Sequence, residues 1–90
     1  NLDEFEQNLE LIVYPNPTSG LLTLESAINT HKDCSVTIFN ALGMLLEFKK
    51  WDQTANNSIQ FNLDYLTEGI YFMRVESEKE IKLIKFVVTP

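Results

Sequence analysis

Residues 34–51 read CSVTIFNALGMLLEFKKW, and this stretch decides the fold class. Cys34, Val36 and Ile38 alternate with Ser35, Thr37 and Phe39, the two-residue period of a strand with one face on a core. Asn40, Ala41, Leu42 and Gly43 leave room only for a tight connection. Beyond them a second strand runs from Met44 to about Trp51, with Leu46 and Phe48 on one face and Glu47 and Lys49 on the other. No useful window carries the i, i+3, i+4 apolar spacing of a helix.

The pattern extends in both directions. Toward the N-terminus, Leu11 to Tyr14 predicts a first strand, stopped by Pro15 and Pro17, which lack backbone donors. Leu21 to Glu25 predicts a second, with Leu22 and Leu24 facing one way and Thr23 and Glu25 the other; a polar loop from Ser26 to Asp33 follows. Toward the C-terminus, past a polar loop from Asp52 to Asn57, Ile59, Phe61 and Leu63 mark a fifth strand. Ile70 to Glu76 makes a sixth, with Tyr71, Met73 and Val75 inward. After the charged turn Ser77 to Glu80, Ile81 to Val88 is apolar on both faces: Leu83 and Val87 on one, Ile84, Phe86 and Val88 on the other. Such a strand needs cover on each side. Seven short strands within residues 11–90 predict an all-β, immunoglobulin-like antiparallel β-sandwich. Residues 1–10 read as an acidic linker ahead of it.

A chain of 90 residues is enough for one domain and too short for two. Its net charge of -6 is concentrated at the start, where Asp3, Glu4, Glu6 and Glu10 stand without a base. An acidic chain with no basic stripe is a poor partner for nucleic acid, whose binding rests on neutralising phosphates. Membrane insertion is not expected either, because no apolar run approaches the roughly 18 residues of a spanning helix. The opening Asn1 to Glu4 lacks the features of a signal peptide, which places any such signal of a secreted parent further upstream.

Chemistry finds no foothold. Cys34 is the single cysteine and falls in the inward phase, so a buried inert thiol is expected. His31 sits in the polar loop with no nucleophile and orienting acid arranged around it. Asp52 and Asp64 are isolated, and no phosphate loop, EF-hand or zinc-ligand pair is present. No catalytic, metal or cofactor-binding residues are expected. Trp51, beside Asp52 and Gln53, is the one aromatic placed to serve as a sugar platform, although a lone Trp in a sandwich more often packs inside.

The turns are more specific than the strands. YPNPTSG (14–20) closes the first strand, FNALGMLL (39–46) joins the third and fourth, FNLDYLTEGIY (61–71) leads into the sixth, and KFVV (85–88) lies almost at the end. Pro15 and Pro17 stiffen the exit from the first strand, and Gly20 and Gly43 allow turn conformations that a side chain resists. Leu66, Gly69 and Tyr71 are spaced as in a tyrosine corner, where the hydroxyl bonds back to upstream backbone. In this order and spacing the four motifs resemble the type A C-terminal sorting domain of type IX (Por) secretion, over about Val13 to Val88. Asn40 departs from the Asp frequent in that family, and Ile84 breaks its common Lys-Lys pair.

The resemblance implies a non-enzymatic address tag, monomeric as an isolated domain. It would carry a larger cargo, delivered first to the periplasm, across the outer membrane of a Gram-negative bacterium. The implied partners are the translocon with its shuttle proteins, and a gingipain-like sortase that cuts in or before Asn1 to Glu10. The cargo is then anchored to the surface or released. The implied sorting positions are Pro15, Pro17, Gly20, Gly43, Leu66, Gly69, Tyr71, Lys85, Phe86, Val87 and Val88. An exposed apolar last strand would also offer a receptor an edge to pair with. The alternative is an accessory module of an extracellular protein, either carbohydrate-binding or a fibronectin-like spacer; a spacer would be followed by further chain.

Overall fold

The computed structural model describes residues 11–26, 33–53, 55–78 and 80–90. Seven strands follow in chain order: β1 (Leu11–Tyr14), β2 (Leu21–Ser26), β3 (Asp33–Asn40), β4 (Leu45–Asp52), β5 (Ser58–Asn62), β6 (Gly69–Glu76) and β7 (Ile81–Val88). They form two antiparallel sheets, ordered β1-β2-β5 and β4-β3-β6-β7, which face one another as a sandwich. The expected linker 1–10 and the loop histidine His31 lie outside the described residues.

Alternation explains the core. Leu22, Leu24, Phe61 and Leu63 from the three-stranded side meet Val36, Ile38, Met73, Val75 and Phe86 from the four-stranded side, all fully enclosed. Cys34 is buried as expected, and its sulfur accepts from Gln53 Nε2 at 3.2 Å. Tyr71, Met73 and Val75 point inward from β6, and Phe86 and Val88 from β7, so the inner phases of β3, β6 and β7 are those the sequence predicts. Thr23 is also buried, on the outward phase of the central strand β2, where its neighbours on both sides cover it.

The phase of β4 is the correction. Its ladder with β3 shifts between Ile38 and Phe39: Glu47 lies opposite Ile38, but Leu45 lies opposite Phe39. Leu46 is therefore the extra residue of a bulge, which re-aims everything after it. Glu47, Lys49 and Trp51 take the inward phase, paired with Ile38, Val36 and Cys34. Phe48 turns outward and is 52% exposed. Charged residues are tolerated on that inward phase because the four-stranded sheet is one strand wider than its partner, so β4 overhangs. Lys49 lies over the Phe61 ring at 4.8 Å and donates from Nζ to Gln60 O at 2.7 Å. Its stem covers apolar surface while its head reaches the rim.

Strand pairing also orients the molecule. The start of β2, the end of β3, the start of β6 and the end of β7 all lie at one pole. Leu11 pairs with Ser26, so β1 begins at the opposite pole, as β7 does at Ile81 opposite Glu76. Residues ahead of Leu11 thus join the sandwich at the pole away from Val88.

Candidate recognition site at one pole of the sandwich

All four turn motifs converge at the pole where β7 ends. The Pro15–Gly20 loop crosses from the three-stranded sheet to β7 there, with both Tyr14–Pro15 and Asn16–Pro17 peptide bonds cis. Asn16 acts as one residue of a missing neighbouring strand. Its Oδ1 accepts from Val87 N–H at 3.0 Å and its Nδ2 donates to Lys85 C=O at 3.3 Å. Thr18 extends the pairing through its backbone: its N–H donates to Val87 C=O at 2.9 Å, and its C=O accepts from Thr89 N–H at 2.8 Å. The enclosed Thr18 hydroxyl donates to Leu21 C=O at 2.7 Å and accepts from Gly20 N–H at 3.1 Å. Thus one hydroxyl satisfies a buried backbone N–H and a part-buried carbonyl.

Gly20 is required for space and not for a positive φ, which it does not have. A Cβ there would lie 3.2 Å from the Asp64 Cβ, and Gly20 C=O accepts from Leu63 N–H at 2.7 Å. Gly43, at φ 87, is the turn glycine expected. Asn40 closes that hairpin by accepting at Oδ1 from Leu42 N–H and Met44 N–H, each at 2.9 Å. An Asp would accept the same two bonds, so the departure at this position leaves the turn intact. Tyr71 makes the corner bond, donating to Thr67 C=O at 2.7 Å while its ring stacks on Phe86 at 5.9 Å. Leu66 packs against the core behind it.

The positions that the resemblance implies for sorting therefore divide. Phe86, Val88, Tyr71 and Gly20 are buried and hold the pole together from within. Pro15, Pro17, Gly43 and Lys85 are exposed, and Gly69, Leu66 and Val87 are half-buried. Sequence reasoning missed the two residues that bond the loop to β7, Asn16 through its side chain and Thr18 through its backbone; an amide held between two prolines was the available signal. It also missed the apolar surface of the pole. Leu42 is 89% exposed, with Met44, Leu45 and Ile70 also facing solvent. Beside them is an apolar depression of about 340 Å³ lined by Phe39, Asn40, Ala41, Gly43, Phe72 and Leu83.

Elsewhere the surface offers less. Toward the other pole a cavity of about 580 Å³ is lined by Asp33, Phe48, Lys50, Asp52 and Glu76 among others. Among the described residues no three metal-ligating side chains group together. Trp51 is buried at 3% exposure and donates from Nε1 to Asn56 C=O at 2.9 Å, so it presents no platform to a sugar. On the β4–β5 flank Tyr65 donates to a Glu47 carboxylate oxygen, which holds the phenol's pKa up to about 12. Tyr14 is likewise raised by its bond to Glu25, made at 2.7 Å.

The chain matches the family described as secretion system C-terminal sorting domain over residues 12–89. It belongs to that family. The sorting domain is a C-terminal secretion signal, and as a type IX signal it engages the secretion system for export to the cell surface or extracellular space. Its fold is shared with a DUF3244 family protein of Bacteroides vulgatus, solved with an immunoglobulin-like β-sandwich fold. The two are 17% identical, with a TM-score of 0.75 over 91% of this chain and 87% of that one. No curated protein matches.

Proposed function

We propose that the domain steers an upstream cargo through the type IX translocon across the outer membrane, and that its motif pole is the surface read by the translocon and its shuttle proteins. One observation supports this reading above the others. Motifs scattered over residues 14–88 assemble at one pole, while the residues that lead to a cargo join at the other. A cargo of any size then leaves the motif pole open. The same arrangement suits a gingipain-like cysteine-protease sortase acting within or before Asn1–Glu10, away from that pole, as the cargo is anchored or released. The domain itself is the passenger tag and monomeric, and it contributes no chemistry.

The test is a secreted reporter fused ahead of Asn1 in a cell carrying the secretion system. Leu42→Glu with Met44→Glu places two charges on the exposed pole without touching the core. Export of the wild-type fusion with periplasmic retention of the folded double variant is the expected result. Equal export of both, or loss of export on a matching charge placed at Phe48 instead, overturns the assignment of this pole.

A further inference from the structure

The sandwich has two flanks, and they are not equally closed. On the β4–β5 flank Lys49 bonds Gln60 C=O and Glu47 binds Tyr65, so side chains stitch one sheet edge to the other. On the β1–β7 flank only the last part of β7 is covered. Val87 N–H and C=O and Lys85 C=O point away from β6 and are taken by Asn16 and Thr18. Backbone groups alternate along a strand, so the N–H and C=O of Ile81 and Leu83 and the N–H of Lys85 point to the same flank. Among the described residues nothing bonds them. β7 is therefore a half-capped edge. The Asn16 side chain marks where an incoming strand must stop.

We infer that the flank-facing edge of β7 from Ile81 to Lys85 is a strand-addition site for an extended acidic–apolar segment of the secretion machinery. This rests on the export reading above and supplies the partner chemistry for it. Backbone pairing provides the affinity, and flanking side chains provide the choice. Ile81 and Leu83 are exposed on the outer face, and Leu83 also lines the apolar depression beside Phe72. Apolar residues of the added strand fit alongside them. Lys82 and Lys85 are exposed on the same short run, which carries no acid. Edge lysines deter indiscriminate pairing, and opposite charges across a strand pair favour it. The segment that fits thus carries carboxylates beside Lys82 and Lys85.

Leu83→Pro is the discriminating substitution. The Leu83 N–H takes no part in the β6 ladder, and proline is tolerated on an edge whose donor faces outward. It removes the central free donor and blocks approach. In the reporter fusion, Leu83→Pro is expected to lower export about tenfold or more, the scale of losing a short run of hydrogen bonds. Leu83→Val should export nearly normally. Circular dichroism and melting of the purified variant check that it folds. If it does not fold, Lys82→Glu with Lys85→Glu decides instead, with loss of export expected. Export of the wild type together with undiminished export of folded Leu83→Pro, or of the charge-inverted variant, overturns the edge site and leaves the pole reading standing; failure of the wild-type fusion defeats both. Amide exchange in the isolated domain adds a second arm. Leu83 should exchange freely with or without residues 1–10. Protection that vanishes on deleting Asn1–Glu10 would make the acidic linker the occupant and overturn the partner.

Discussion

Asn16 shows how a single side chain can finish a sheet. It supplies one acceptor and one donor at the spacing of a neighbouring backbone, on a loop whose prolines cannot donate. Asn16→Ala leaves Val87 N–H and Lys85 C=O to water, so a loss of about 0.5–1.5 kcal/mol is expected in urea unfolding. Thr18→Val keeps the shape and leaves the buried Gly20 N–H and the part-buried Leu21 C=O without a partner; about 1–3 kcal/mol is expected. The ordering Thr18→Val worse than Asn16→Ala is the check on this account. Gly20→Ala should cost about 1–3 kcal/mol through its clash with Asp64. Asp64→Gly in the same chain should recover most of that loss. A failure to recover would mean that backbone conformation, and not space, selects the glycine. Tyr65 carries a pH dependence whose sign is set by its raised pKa. The neutral phenol is favoured in the fold, so its contribution is complete below pH 10 and fades as pH rises from 10 through about 12. The gap in urea midpoint between wild type and Tyr65→Phe should be present at pH 8 and shrink toward pH 12.

At the scale of elements, legibility followed context. β3 and β6 could be read because alternation meets a core along them, and β7 because Phe86 and Val88 keep one phase on that core; a wrong phase would have exposed Met73 or Phe86. β4 misled for a physical reason. Its bulge at Leu46 consumes one residue without any glycine or proline to announce it, and the overhang removes the penalty that elsewhere excludes Glu47 and Lys49 from an inward phase. Gly20 was identified as special, but its reason was tertiary: Asp64 lies 44 positions away in sequence and only the packed turn brings them together. The two faces of β7 were legible as apolar, yet which half of its edge remains free depends on Asn16, a contact across 71 positions. Those faces predict contrasting substitutions. Phe86→Ala opens a cavity in the core and should cost roughly 3–5 kcal/mol, while Leu83→Ala on the outer face should stay within about 0.5 kcal/mol. Equal losses at the two positions would mean that the outer face of β7 is covered in solution.

For the whole molecule, the polarity of the sandwich is the property through which the proposed reading links fold to export. Each turn motif alone is a local solution to a chain reversal, and its residues are justified by stability. Their meeting at one pole was not visible from the sequence, because it depends on sheet order and not on spacing. The C-terminal Thr89 is tied to Thr18 within that pole, whereas residues before Leu11 enter at the other. If the machinery reads that pole, as proposed, a folded passenger is tolerable at one end only. A compact reporter placed ahead of Asn1 should be exported. The same reporter joined after Pro90 through a short linker should be retained in the periplasm, although both fusions contain an intact domain with the same melting temperature. Lengthening the C-terminal linker should restore export progressively, as the passenger is moved off the pole by distances that grow slowly with linker length. Export independent of which end carries the passenger would place recognition on a flank or on the far pole, and retention unrelieved by a long linker would show that a free C-terminus is itself what the machinery reads.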